Sequence, residues 1–215
     1  MDDTTADLHP AVAKTRSRSV SYFLTELLIV TAGVLIALSV DSLRGWNKDR
    51  QLVEQARRTI TLEIAENRAD VERVMAGSET RQKDLDNALK FVREMLATRK
   101  SAIHEITVNT EVADLSSAAW QSAERTGALS HMRYDEVQRH SRLYAVQELY
   151  MAQQRQSLRR ITTALAFLAE GDPTAASPED LRGFRQEVRA LIGEHYIENK
   201  VGDRLLELYR EIQGQ

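Results

Sequence analysis

The longest apolar stretch of the chain runs from Ser19 to Val40 and holds one charged residue, Glu26. At about 1.5 Å per residue, a helix of this length covers roughly 33 Å, enough to cross a hydrocarbon core of about 30 Å. Its Leu, Ile, Val and Phe residues together favour insertion by about 4 to 7 kcal/mol, against about 3 kcal/mol for the carboxylate. The pattern predicts a transmembrane helix, placed at residues 19–43, after a short basic tail at residues 1–18.

A cleaved signal peptide is the main alternative to a retained span. Lys14, Arg16 and Arg18 form a basic segment before the apolar stretch, and Ala37 and Ser39 offer small residues for cleavage. The stretch is longer than the roughly 7–15 residues usual in a signal peptide, and such peptides seldom carry a carboxylate. We therefore expect the helix to be retained.

Beyond the span, apolar residues recur every seven positions, which is the spacing of a helix packed along one face. The first line is Ile64, Val71, Ser78, Leu85 and Val92, with a second line at Ile60, Asn67, Val74, Arg81, Ala88 and Met95. These lines predict a helix from about Leu52 to Ala97. Gly77 is a candidate position for a bend. Continuity of this helix with the span is compatible with the sequence.

A second seven-residue repeat lies later in the chain, at Val137, Tyr144, Met151, Leu158 and Leu165, with Leu143, Tyr150, Ile161 and Leu168 beside it. It predicts a helix from about Arg133 to Glu170. The flanking positions include His140, Gln147 and Gln154. We interpret these three as a candidate polar pocket that faces water, a ligand or a partner.

Capping residues indicate the remaining elements. Thr110 is a candidate N-cap for a short helix that ends at Gly127, and Ser130 is the next candidate N-cap. Ser177 followed by Pro178 is a strong start signal for the last helix.

In that last helix Gly193 and Gly202 are candidate breaks. Trp120, between alanines, is expected in the core. The predicted fold is all-α: a single N-terminal transmembrane helix followed by an antiparallel bundle of long helices over residues 44–215.

The composition of the chain limits the classes of function that are open to it. The net charge is −3 with acids and bases interspersed, which gives no electrostatic footprint for nucleic acid, and the chain has no cysteine. Phosphate-binding glycine loops, zinc-protease motifs and Glu-x-x-His pairs are missing from the sequence. We interpret the group Glu194, His195 and Glu198 as a solvated helix face. The sequence therefore predicts no enzyme, no cofactor and no metal site.

Several motifs resemble a known family. The strings Glu26–Val30 and Gly33–Leu38, followed by Asp41 and Trp46, resemble the N-terminus of an uncharacterised family of bacterial single-span membrane proteins. The pattern Glu63, Glu66 and Asn67, and the later Ala119-Trp120 with Gly127-Ala128-Leu129, are similar to further segments of that family. The resemblance implies a bacterial membrane and an all-helical fold, and it transfers no catalytic residue. Gly45-Trp46-Asn47 departs from the commoner Asn-Trp-Asn form.

One face of the span carries a polar and two small residues. Glu26, Gly33 and Ala37 fall within about 20° of one line along a helix. Small residues let membrane helices approach closely, and a carboxyl on that face could hydrogen-bond across the contact. This predicts self-association through the span; an incidental arrangement is the alternative.

Two function classes follow from these observations. The first is a membrane-anchored interaction or scaffold protein with an unidentified protein partner or a second copy of itself. The second is a sensor-like bundle that binds a small ligand between its helices. Charge counting along the flanks mildly places residues 44–215 in the cytoplasm, whereas a basic tail held inside places them on the outer side of a bacterial inner membrane.

Overall fold

The structure, a computed structural model, describes residues 16–103, 105–107, 110–167 and 175–214, with side chains from residue 22 onward. These residues form helices and no strand, which confirms the all-α fold class. The α-helices are α1 (Arg16–Ala76), α2 (Ser78–Thr98), α3 (Ala118–Arg125), α4 (Tyr134–Ala166) and α5 (Pro178–Gln213), and a short 3-10 helix occupies Ala128–His131.

Helices α1 and α2 meet at the predicted bend. The Gly77 N–H donates to the Val74 carbonyl at 3.1 Å, a bond from residue i to i−3 that tightens the turn. Helix α1 contains both the predicted span and the first half of the predicted long helix, without interruption. The apolar positions of the first repeat are buried, namely Ile60, Ile64, Val71, Val74, Leu85, Ala88, Val92 and Met95.

The chain divides by its internal packing into two units, Met1–Gln51 and Leu52–Gln215. In the first unit the apolar side chains lie on the surface of the helix; Leu28 is 70% exposed and Ile36 is 66% exposed. By length and composition this apolar stretch of α1 could span a membrane, and it is the one candidate among the described residues.

The second unit is built from two helix directions. Helix α5 runs antiparallel to α4, and α4 runs parallel to the adjoining part of α1, since Arg57 pairs with Glu136 and Asn67 with Gln147. Because α1, α2 and α4 run the same way, the connection from α2 to α4 must come back along α1. We call residues 110–132 the return segment.

The return segment departs from the sequence prediction. Thr110 does not start a helix; α3 begins at Ala118, because the backbone just before it is bonded to side chains of α1 instead. The Asp114 N–H donates to the Asp70 carboxylate at 3.0 Å, and this bond lowers the Asp70 pKa below its ordinary value. Gly127 has a left-handed φ of 79° that suits glycine, and it ends α3 at the predicted place.

Helix α4 differs from the prediction in two respects, and helix α5 differs in one. Helix α4 is capped by Arg133 rather than Ser130, and its buried stripe is rotated: Leu165, predicted in the packed line, is 44% exposed. The residues buried on α4 are Leu143, Tyr144, Gln147, Tyr150, Gln154, Ile161 and Ala164. The return segment packs against the glutamine side and so turns that side inward. The predicted end of this helix, with Leu168 and Glu170, lies outside the described residues.

Helix α5 begins as predicted. The Ser177 hydroxyl accepts a hydrogen bond from the Asp180 N–H at 3.1 Å, with Pro178 in the first turn. Neither Gly193 nor Gly202 breaks the helix. Gly202 instead allows close packing, because a Cβ at this position would lie 3.1 Å from a ring carbon of Tyr150.

Candidate functional site

The face of the span that carries Glu26, Gly33 and Ala37 is exposed at all three residues. A Cβ added at Gly33 would meet no described atom within 4 Å. The hydroxyls of Thr31 and Ser39 donate to carbonyls one turn earlier, at 2.8 Å and 2.7 Å. Because these hydroxyls are satisfied within their own helix, they are compatible with an apolar environment.

The interior of residues 52–215 holds a buried carboxyl group with three donors. Glu63 on α1 accepts hydrogen bonds from the Tyr144 hydroxyl at 2.7 Å, the Ser116 hydroxyl at 2.7 Å and the Ala119 N–H at 2.8 Å. Burial raises the pKa of Tyr144 far above its ordinary value, and the hydrogen bond to Glu63 raises it further. The carboxyl group therefore links α1, the return segment and α4.

Asn67, one turn later on α1, holds the backbone of Ser116 from both sides. Its Oδ1 accepts from the Ser116 N–H at 2.9 Å, and its Nδ2 donates to the Ser116 carbonyl at 2.7 Å. The Gln147 amide also donates to that carbonyl at 2.8 Å and accepts from the Tyr209 hydroxyl at 3.0 Å. We call Glu63, Asn67, Ser116, Tyr144, Gln147 and Tyr209 the inner polar network.

The three residues of the predicted polar pocket do not surround one cavity. Gln147 belongs to the inner polar network. Gln154 pairs with the backbone of Ala113, its nitrogen donating at 3.1 Å and its oxygen accepting at 3.0 Å. His140 lies near the start of α4, where its ring stacks on Trp120 with 6.1 Å between ring centroids. The two glutamines therefore hold the return segment; Gln154 also borders a small space of about 10 Å³, whereas His140 alone of the three borders a larger cavity.

That cavity has a volume of about 210 Å³ and opens between α1 and α4. Its polar edge is formed by His140 together with an ion pair in which both nitrogens of the Arg57 fork donate to Glu136 at 2.7 Å. The Arg57 guanidinium lowers the pKa of Glu136. Trp120, predicted in the core, is half-buried, with one face on Tyr144 at 5.3 Å.

A second polar group lies between α2, α4 and α5. Arg81 pairs with Glu198 at 3.0 Å, and the two side chains are only 12% and 3% exposed. Arg160 bridges Glu187 at 2.8 Å and Glu194 at 2.7 Å. We call these five residues, with His195, the buried ion cluster.

His195 packs against the start of α2. Its Nε2 lies 3.1 Å from the Ser78 carbonyl, so the ring donates there in the tautomer protonated on Nε2. In the described part of the chain, His195 Nδ1, Arg81 Nε and Glu194 Oε2 are buried without a hydrogen-bond partner. Burial lowers the pKa of His195, and the charge of Arg81 lowers it further.

Glu194, His195 and Glu198 therefore correct the sequence interpretation, because they are 8%, 4% and 2% exposed rather than solvated. Their spacing along α5 continues that of Leu191 and Leu205, which is the signal that could have placed them inside. Within the described ranges, no group of three or more His, Asp or Glu side chains is arranged to hold a metal ion.

A wider groove of about 510 Å³ lies between α1 and α3. Half of its wall residues are alanine or serine, namely Ala56, Ala118, Ala119, Ser122 and Ala123. Comparison with known proteins adds no relative: no protein-family model, curated protein or solved structure matches the chain.

Proposed function

We propose that this protein is a membrane-anchored interaction or scaffold protein, with a single span in α1 and a helical domain that binds a protein partner. The observation that carries the proposal is the exposed apolar surface between Tyr22 and Leu43, a length that matches a bilayer core. An apolar surface of this size is unfavourable in water on a monomer, whereas lipid or another span would cover it.

The cellular setting of the proposal is the inner membrane of a bacterium. Its support is the resemblance of the span, of Trp46 and of the Glu63–Asn67 pattern to the bacterial single-span family. In the structure, Glu63 and Asn67 both hold Ser116, whereas Glu66 is exposed. The two buried members of this pattern thus have a physical role in shaping the domain.

The polar interior supports a binding role more than a catalytic one. Each member of the inner polar network is engaged by another group of the protein, and together they hold a non-helical stretch of backbone in place. A fixed interior of this kind positions the surface of the return segment and the groove beside α3. Such a surface suits recognition of a partner.

Single-cysteine labelling tests the anchor. The chain has no cysteine, and Ala102 is exposed, so Ala102→Cys offers one reactive site. Whole cells are treated with a maleimide that does not cross the inner membrane. We expect the protein in the membrane fraction after carbonate washing. Labelling of intact cells would place the domain outside, and labelling only after lysis would place it inside. Recovery in the soluble fraction would contradict the proposal.

Self-association through the span forms part of the proposal, with Glu26, Gly33 and Ala37 at the contact. Gly33→Leu should weaken association of the span in a membrane two-hybrid assay, because a larger side chain separates the helices. Ala32→Leu, on a different face of the same turn, is the matched control and should leave the signal unchanged. Equal signals from both variants and the parent would remove this contact from the proposal.

Site-specific photocrosslinking tests the interaction role. A photoreactive residue at Gln55, on the exposed rim of the α1–α3 groove, is compared with one at Glu207, on the exposed side of α5. We expect an adduct of defined mass at Gln55 and none at Glu207. Adducts at neither position in living cells would argue against a partner at this groove.

A second candidate is a sensor that binds a small ligand at the 210 Å³ cavity. The observation that favours it is the meeting of His140 with the Arg57–Glu136 pair at one cavity edge. Thermal-shift screening of the full chain in detergent against small metabolites separates the two candidates, since a ligand of the folded state raises the melting temperature. Stabilisation that is lost in His140→Ala would favour the sensor.

A further inference from the structure

We infer that Trp46 and Arg50 form a phospholipid-binding contact at the end of the span, with the arginine and the indole directed at lipid headgroups. The inference rests on the proposed membrane anchor and adds to it the residues that fix the depth of the helix. It concerns the first unit of the chain alone.

The first step is the position of the aromatic residues. Tyr22 and Trp46 stand at the two ends of the apolar stretch and are 78% and 62% exposed. At about 1.5 Å per residue, they are separated by about 36 Å along the helix. This lies between the roughly 30 Å of the hydrocarbon core and the 40–45 Å of the whole bilayer. Both rings therefore fall in the headgroup layers, where Tyr and Trp are enriched.

The second step is the face that surrounds Trp46. Helix periodicity places Leu43, Trp46, Asn47 and Arg50 within an arc of about 100°. All four are exposed. Along this face the side chains change from apolar Leu43 to amphipathic Trp46 and then to charged Arg50, which is the order a helix meets as it leaves a membrane.

The third step is the direction of the arginine. Side chains on an α-helix lean toward its N-terminus, and here the N-terminal direction leads back into the span. The Arg50 guanidinium follows this rule, since its Cζ lies 5.7 Å from the centroid of the Trp46 ring. The contact thus directs the cation toward the span and its hydrocarbon edge rather than away from it.

The positive charge near Trp46 favours an anionic group as the ligand of this face. Residues 44–50 contain three cations, Arg44, Lys48 and Arg50, and one anion, Asp49. A guanidinium binds a phosphate through two parallel hydrogen bonds, and the indole N–H is a further donor. The phosphodiester of a membrane phospholipid offers acceptors at the depth where these donors lie.

Depth-dependent quenching in vesicles tests the inference with the full chain. The protein is reconstituted into phosphatidylcholine vesicles whose acyl chains carry bromine either close to the headgroup or near the terminal methyl. The chain has two tryptophans, so the emission of Trp46 is taken as the difference between the parent and Trp46→Phe. We expect at least twofold stronger quenching of this emission by the shallow bromine.

A solid-state NMR measurement tests the phosphate. In the same bilayers, lipid phosphorus should dephase the side-chain nitrogen signal of arginine, and Arg50→Gln should lose part of the dephased signal. Arg58→Gln, which removes a charge from the second unit where Arg58 pairs with Glu54, should retain it.

The outcomes separate the two proposals. Shallow quenching together with loss of dephasing in Arg50→Gln alone supports the contact. Protein that sediments with the vesicles but shows equal or deeper quenching of Trp46, or unchanged dephasing in Arg50→Gln, overturns the contact and leaves the anchor standing. Protein that stays out of the vesicles overturns the anchor, and the contact with it.

Discussion

The inner polar network and the buried ion cluster are two groups of polar side chains inside one domain. The two groups satisfy their polar atoms in different ways. In the network, neutral side chains and one carboxyl group bind the backbone of the return segment, and the Ser116 carbonyl and N–H are both engaged. In the cluster, long charged side chains bind mainly one another, although Arg81 also donates to the Glu111 carbonyl of the return segment, and three of their polar atoms are left without a partner among the described residues.

The difference follows from what each group has to satisfy. Buried backbone groups outside a helix or sheet need donors and acceptors from side chains, and an apolar substitute cannot supply them. A buried ion pair is satisfied mainly by its own partner, and the further bond of Arg81 to the Glu111 carbonyl is exposed, so both members of the pair can be replaced together by apolar residues at little cost. The network is therefore indispensable for the path of the chain, and the cluster is replaceable in pairs.

The largest expected effect is on the network. Glu63→Ala leaves the buried Tyr144 hydroxyl without an acceptor, which costs about 1–3 kcal/mol, and it also removes the acceptor of the Ser116 hydroxyl and the Ala119 N–H, which lie closer to solvent and cost less. We expect the free energy of unfolding to fall by about 4 kcal/mol, measured by urea titration of the full chain in detergent. Glu66→Ala, exposed on the same helix, should change stability by less than about 0.5 kcal/mol. Similar values for both variants would contradict the assigned role.

The cluster should respond differently to single and paired changes. Arg81→Leu leaves Glu198 buried and unpaired, and we expect a loss of about 3 kcal/mol. The double variant Arg81→Leu with Glu198→Leu should recover most of that loss, because both charges are then gone. The same urea titration gives the coupling energy. A double variant as unstable as the sum of its parts would show that the cluster, like the network, is irreplaceable.

How far the sequence predicts this fold depends on whether a segment packs through periodic apolar residues. Ile64, Val71 and Val92 repeat every seven residues, and their burial is confirmed. The return segment has no such repeat, because its backbone is held by side chains that lie more than thirty residues away, such as Asn67 and Gln147 with Ser116. The inward turn of Gln147 follows from that contact, and no local pattern could predict it.

A pH titration should affect the cluster through His195. Well above pH 6.5 His195 is neutral in both the folded and the unfolded chain. As the pH falls below 6.5, the unfolded chain binds a proton that the folded chain resists, because the folded pKa is lowered by burial and by Arg81, against the opposing charge of Glu198. Stability should therefore fall, with a slope of at most about 1.4 kcal/mol per pH unit.

The control for this titration is His195→Gln, which has no proton to bind. Urea titrations between pH 6.5 and 4.5 should show a flatter stability curve for the variant than for the parent. The titration stops at pH 4.5 because the pKa of Glu136 in the folded chain is lowered from its ordinary value of 4.5. Glu136 of the folded chain therefore keeps most of its charge over the whole interval. Parallel curves would show that the folded chain accepts the proton on His195 without cost.

The smallest effect on stability is expected at the Arg57–Glu136 pair, which belongs to neither the inner polar network nor the buried ion cluster. It has the bidentate geometry of a strong pair, but Arg57 is 48% exposed, so water and salt screen it. A double-mutant cycle with Arg57→Ala and Glu136→Ala should give a coupling of about 1 kcal/mol or less at low salt, weakening as sodium chloride is added. A salt-independent coupling above about 2 kcal/mol would mean that the pair is desolvated in solution. The 210 Å³ cavity beside it would then be closed to water, which would weaken its case as a ligand site.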